Sequence, residues 1–177
     1  MERLGPGLLM LALALALMGL VLVGWRGRLR RQSGIAAPAP VPDAAGLGAE
    51  RLRCSGQYVV TTGAGDWLDR IAVHRLGVRT AADAVVHDAG LVLERSGAPD
   101  VFISAGDLDG VRLEAGMAGK FVEEGGLVVV SWRLGGTAVD TGFRPRYAQE
   151  KNALVAAIGD LVRTAPRDGD GEGKSEQ

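Results

Sequence analysis

Leu127-Val128-Val129-Val130-Ser131-Trp132-Arg133-Leu134-Gly135-Gly136-Thr137-Ala138-Val139-Asp140-Thr141-Gly142-Phe143 holds two alternating runs around a pair of glycines. In the first run Val128, Val130, Trp132 and Leu134 share one face, and Ser131 and Arg133 share the other. In the second, Val139, Thr141 and Phe143 align. Successive side chains of a strand point to opposite faces, so this alternation predicts two half-buried strands. Gly135-Gly136 suits a two-residue hairpin turn, whose backbone angles glycine adopts without steric cost.

Further strands extend upstream from this hairpin. Val111 and Leu113 oppose Arg112 and Glu114, again with period two. Val101 to Ser104 is a compact apolar strand behind the turn Ser96-Gly97-Ala98-Pro99-Asp100. Ala82 to His87 alternates, and Asp88-Ala89-Gly90 turns it into Leu91 to Arg95. Gln57 to Thr62, β-branched and aromatic, reads as another strand. Between them, Asp66 to His74 reads as a structured loop, because Trp67, Leu68 and Ile71 fit a short helix while Ile71 and Val73 fit a strand end. After Pro145 the period changes. Leu154, Val155, Ile158, Leu161 and Val162 form one stripe at helical spacing over Ala148 to Arg163. The fold class is mainly β with one C-terminal helix, a small antiparallel barrel or sandwich spanning residues 50–165.

The N-terminus is of a different kind. Gly5 to Trp25 carries no charge and includes eight leucines and two valines, and four arginines, Arg26, Arg28, Arg30 and Arg31, follow at once. About 20 helical residues cross the roughly 30 Å apolar core of a bilayer. A helix satisfies its own backbone hydrogen bonds in lipid, which a lone strand cannot do. Residues 5–25 are therefore predicted to be a transmembrane helix. A cleaved export signal is the rival, since Ala-Pro-rich sequence follows at Ala36 to Pro42. Two features weigh against it: the leading Met1-Glu2-Arg3-Leu4 is nearly neutral, and the apolar run is longer than in most signals. By the positive-inside rule the arginine flank, 26–31, stays in the cytoplasm. The predicted topology is single-pass in the plasma membrane, with residues 1–4 outside and the C-terminal domain cytoplasmic.

Residues 32–49 are rich in Ala, Pro and Gly, with Asp43 the one charge before Glu50, and read as a flexible tether. Residues 166–177 lack large apolar side chains and read as a solvated tail. The net charge is −1, but five arginines against Glu2 put +4 on the membrane-flanking segment and leave −5 for the rest. A mildly acidic domain argues against nucleic-acid binding.

The stretches Tyr58-Val59-Val60-Thr61-Thr62, Gly65-Asp66-Trp67-Leu68-Asp69-Arg70, Gly97-Ala98-Pro99-Asp100-Val101-Phe102-Ile103, Gly116-Met117-Ala118-Gly119-Lys120, Val130-Ser131-Trp132-Arg133-Leu134 and Asp140-Thr141-Gly142-Phe143 resemble those of actinobacterial single-pass membrane proteins carrying a bacterial PH-like domain. The resemblance spans the anchor and most of Tyr58 to Val162. It implies a PH-like barrel in which the C-terminal helix plugs one open end, preceded by one membrane helix. In that family the gene often neighbours those for carbamoyl-phosphate synthase, and some members carry a transporter or export label. It supplies no catalytic or ligand residues.

The chain itself offers little chemistry. Gly116-Met117-Ala118-Gly119-Lys120 is no phosphate loop, because only two residues separate its glycines and Phe121 follows the lysine. Cys54 is the only cysteine and lacks a base or a resolving thiol in its motif, so it reads as structural. His74 and His87 are isolated, with no metal-ligand spacing. Ser55, Ser96, Ser104 and Ser131 lack the nucleophile-elbow pattern. Asp66, Asp69 and Arg70, and the pair Glu123-Glu124, read as solvated loop charges. The loop Gly63 to Gly77 is nearly charge-balanced, so phosphoinositide binding is not predicted. Trp67 reads as a core or loop anchor ahead of a partner or membrane contact. The stretch Asp66, Trp67, Asp69 and Arg70 is the candidate partner-contact loop. No enzyme activity, cofactor or metal is expected. The function expected is a membrane-anchored PH-like interaction or scaffold module with a protein partner, the alternative being an accessory subunit of a transport or export system.

Overall fold

The computed structural model describes residues 4–32, 34–117, 120–121 and 126–165. It divides into two units, Met1–Gly34 and Ile35–Gln177. The first holds one continuous helix, α1 (Leu4–Arg31). Its stretch Gly7–Gly24 is long and apolar enough to cross a membrane, and none of it is buried in protein.

The second unit runs α2 (Ala44–Leu47), β1 (Glu50–Gly63), β2 (Asp66–Arg70), β3 (Thr80–His87), β4 (Gly90–Arg95), β5 (Val101–Ser104), β6 (Leu108–Glu114), β7 (Gly116–Met117), β8 (Lys120–Phe121), β9 (Leu127–Leu134), β10 (Thr137–Pro145) and α3 (Glu150–Thr164). The main sheet has the order β5-β4-β3-β1-β10-β9-β6, with β2 added to β1. All its pairs are antiparallel, and β7 pairs β8 in a separate small hairpin.

The β9–β10 hairpin has the register its alternation predicts: Trp132 faces Val139, Val130 faces Thr141 and Val128 faces Phe143. Gly135 and Gly136 both have positive φ, 55° and 87°, as a twist-matched two-residue turn requires. β1 joins the two halves of the sheet, with Glu50–Tyr58 against β3 and Gly56–Gly63 against β10. Between Tyr58 and Val60 the register against β10 shifts by one residue. A one-residue slip exchanges strand faces. Cys54 and Tyr58 therefore face the main core before the shift, and Thr61 enters it afterwards, opposite Thr141.

That core gathers Ala84, Leu91, Leu93 and Ile103 from one half of the sheet and Val128, Val130, Trp132 and Phe143 from the other. α3 closes it with Leu154, Ile158 and Leu161, which recur at helical spacing and are buried. Burying each contributes about 2 kcal/mol. The helix packs on β6, β1 and β3. At Gly56 a Cβ would collide with the Arg144 carbonyl and lie 2.7 Å from Phe143 Cζ, so only glycine admits this crossing.

Three expectations change. The reading of residues 32–49 as an unfolded tether fails from Ile35 onward. Ile35 packs on the main core, His74 Nε2 donates to its carbonyl at 2.9 Å, and Ala39 bridges to Phe102. Asp43 caps α2 through Gly46 N at 2.8 Å, and Leu47 covers the cluster of Val85, Val92 and Phe102. Two apolar anchors and a cap suffice to fix an Ala-Pro-rich segment. β1 begins at Glu50, seven residues before the predicted strand. The predicted loop Asp66 to His74 becomes β2 and the start of a 3-10 turn, Val73–Arg75. Glu123-Glu124 and the tail 166–177 lie outside the described residues.

Candidate interaction surfaces

The candidate loop is a hairpin. β2 returns along β1, with Arg70 opposite Thr62 and Asp66 opposite Gly63. The turn is fastened to β10: Ala64 N donates to Ala138 O at 3.1 Å, and Gly65 N to Asp140 Oδ2 at 3.4 Å. Asp66 Oδ1 accepts from the backbone N–H groups of Leu68 and Asp69, at 3.0 and 3.3 Å. Asp66, Trp67, Asp69 and Arg70 thus share one small element. Trp67 is not the core anchor its apolar context suggests. It is 49% exposed and Leu68 63%, because the segment's contribution to the core comes from Ile71, which is fully buried.

The second surface is a groove of about 670 Å³ on the outer side of the sheet, where β4, β3, β1, β10 and the start of α3 meet. Glu94, Asp83 and Ser55 lie opposite one another across three strands, and Arg146 N donates to Ser55 O at 2.8 Å. Ala81, Gln57 and Arg144 form the neighbouring row. The acids have partners at this end: Arg53 is shared among Glu94 at 2.6 Å, Glu50 at 3.0 Å and Asp83 at 3.7 Å, and Asp100 accepts from the backbone N–H of Arg95 at 2.7 Å. At the other end, Arg144, Arg146 and Lys151 form no ion pair among the described residues. Reading the sequence did not single out this trio, whose one local signal is Arg144-Pro145-Arg146.

Other polar groups have structural partners. Asp140, 5% exposed, accepts from Ser131 Oγ at 2.6 Å and from Arg112 Nη2 at 3.0 Å. Burial pushes its carboxyl pKa up, but the Arg112 and Ser131 hydrogen bonds outweigh that and hold it below the ordinary value. Cys54 is buried, with Sγ–H directed to Glu150 Oε2 at 3.3 Å. Burial and the Glu150 carboxylate push this thiol up to about 12, which makes it a poor nucleophile. Arg95 is 6% exposed and stacks 4.5 Å above the Tyr58 ring, donating to the carbonyls of Pro99 and Arg75. Gly116-Met117 and Lys120-Phe121 form the β7–β8 hairpin, not a phosphate loop. Among the described residues no group of three His, Cys, Asp or Glu side chains converges to hold a metal.

The bacterial PH domain-like family model matches residues 35–159, so the chain belongs to that family. The match begins at Ile35, where the core begins. No curated protein matches the chain. Solved structures similar to it include the following two. A chain of "The 8S snRNP Assembly Intermediate" is 7% identical with a TM-score of 0.49, over 78% of this chain and 98% of that one. A chain of "Vav1 inhibited by an allosteric inhibitor: Vav1 inhibitors block GEF activity" is 12% identical with a TM-score of 0.41, over 77% and 33%. PH-like domains are generally non-catalytic, and membership suggests an interaction module.

Proposed function

We propose that the chain is a non-enzymatic, membrane-anchored interaction module that binds a protein partner through the β1–β2 hairpin. One observation carries this reading: Trp67 and Leu68, consecutive in β2, are both exposed on a hairpin held to β10 by the Ala64 and Gly65 N–H groups. A rigid aromatic beside an aliphatic, framed by Asp66, Asp69 and Arg70, has the make-up of a binding hot spot with a polar rim. Residues 5–25 anchor the module in the plasma membrane, and Arg26, Arg28, Arg30 and Arg31 favour a cytoplasmic domain. The domain's mild acidity supports a protein partner over nucleic acid, and the charge balance of Gly63 to Gly77 speaks against phosphoinositides.

The test is affinity capture of the full chain from detergent extracts, beside the W67A/L68A double variant. A partner retained by the parent and lost by the variant supports the reading. Repeated capture of no specific partner, or undiminished capture by the variant, defeats it.

A further inference from the structure

The outer groove is independent of the hairpin and carries its own charge logic. Its acids cluster at the β3–β4 end, where Arg53 is shared among Glu94, Asp83 and Glu50, while Arg144, Arg146 and Lys151 stand without an ion pair at the β10–α3 end among the described residues. Between them lie neutral hydrogen-bonding groups, Ser55 and Gln57. Such a surface suits an extended acidic peptide, with carboxylates on the cations and backbone along the neutral strip.

We propose that this groove is an acidic-peptide site whose occupant is the chain's own segment after α3. Residues 166–177 carry Asp168, Asp170, Glu172 and Glu176 against only Arg167 and Lys174, opposite in sign to the trio. Lys151 lies 13 residues before the end of α3 at Thr164, about 20 Å at 1.5 Å per residue. An extended chain gains about 3.4 Å per residue, so the segment covers that distance by about Asp170 and has length to spare at Glu172. Tethering supplies an effective concentration in the millimolar range, so modest charge attraction fills the groove.

Zero-length carbodiimide coupling of the full chain in detergent micelles tests this, because it joins an amine to a touching carboxylate. The chain has only three lysines, Lys120, Lys151 and Lys174, so the linked peptides are easily assigned by mass spectrometry. The expected result is monomeric product joining Lys151 to Asp170, Glu172 or Glu176. Its yield should fall several-fold in the R144E/R146E variant and again at high salt. A D170N/E172Q/E176Q variant, altered outside the core, should lose the product while keeping its denaturation midpoint. Coupling of Lys151 only to Glu123 or Glu124, coupling to nothing in the tail, or a yield unaffected by the arginine reversals overturns the proposal. The W67A/L68A variant leaves the cross-link intact, so the two readings fail separately.

Discussion

Tyr58 Oη donates to the carbonyl of Leu76 at 2.6 Å, and this one bond sets the direction of a buried hydrogen-bond chain. A carbonyl only accepts, so the single Tyr58 proton is committed there. Thr61 Oγ1, 2.7 Å away, must then donate to Tyr58; Thr141 Oγ1 must donate to Thr61; and Trp132 Nε1 donates to Thr141 at 2.8 Å. Four side chains from β1, β9 and β10 are thereby tied to the loop ahead of β3.

Breaking this chain should cost more than its bond count suggests. Y58F leaves the Leu76 carbonyl with the Thr61 N–H alone, at 3.0 Å, and strands the Thr61 hydroxyl proton in the core, a loss of about 1–2 kcal/mol. Thr62 Oγ1, buried nearby without a hydrogen-bond partner among the described residues, gives the converse. T62V should be neutral or stabilising by up to about 1 kcal/mol. Urea denaturation of both variants in detergent, followed by tryptophan fluorescence, checks the sign of each.

Asp140 makes stability depend on pH. Its folded-state pKa is lowered, so its contribution is present above the unfolded value of about 3.9 and is lost as pH falls through the folded value. D140N should destabilise the domain by about 2 kcal/mol at pH 7, leaving Arg112 without this partner. The gap between parent and variant should narrow below about pH 4, which denaturation midpoints at several pH values would reveal.

Cys54 should resist alkylation in the folded protein. Its thiol is raised to about 12 and buried beside Glu150, so little thiolate forms at pH 8. Iodoacetamide labelling should therefore track unfolding. Above about pH 8.5 the unfolded thiol ionises while the folded one keeps its proton, so stability should decline with rising pH in the parent and less so in C54A. Rapid labelling under native conditions would contradict the buried geometry.

The segment 35–49 should behave as part of the domain. L47A uncovers Val85, Val92 and Phe102, and I35A removes a contact with the main core, each at a cost of about 1–2 kcal/mol for a half-buried side chain. A loose tether would show no change in either denaturation midpoint.

What was legible in the sequence follows physical rules. The β9–β10 register and the α3 stripe were readable because each has one wet face and one dry face, so period alone declares them. The first half of β1 was hidden because its dry face offers only Leu52 and Cys54 before Gly56, while Arg53 on the outer face pairs with Glu50 on its own strand and with Glu94 on β4, which sequence does not place beside it. β2 was hidden because Trp67 and Leu68 are adjacent and both exposed, which breaks alternation. The hairpin residues were found as a local cluster. The groove was not, since its residues come from five separated stretches that meet only through the pairing of β1 with β3 and β10.

The arginine flank should set the topology. With Arg26, Arg28, Arg30 and Arg31 after the apolar run, a fluorescent protein fused at the C-terminus should glow in the cytoplasm, and an exported-phosphatase fusion there should stay inactive. Replacing the four arginines with glutamine and placing three arginines before Gly5 moves the positive charge to the other side of an unchanged helix. Both reporters should then reverse, because loop charge sets the orientation of a helix of given hydrophobicity. A phosphatase signal from the parent would place the domain outside and remove the cytoplasmic reading.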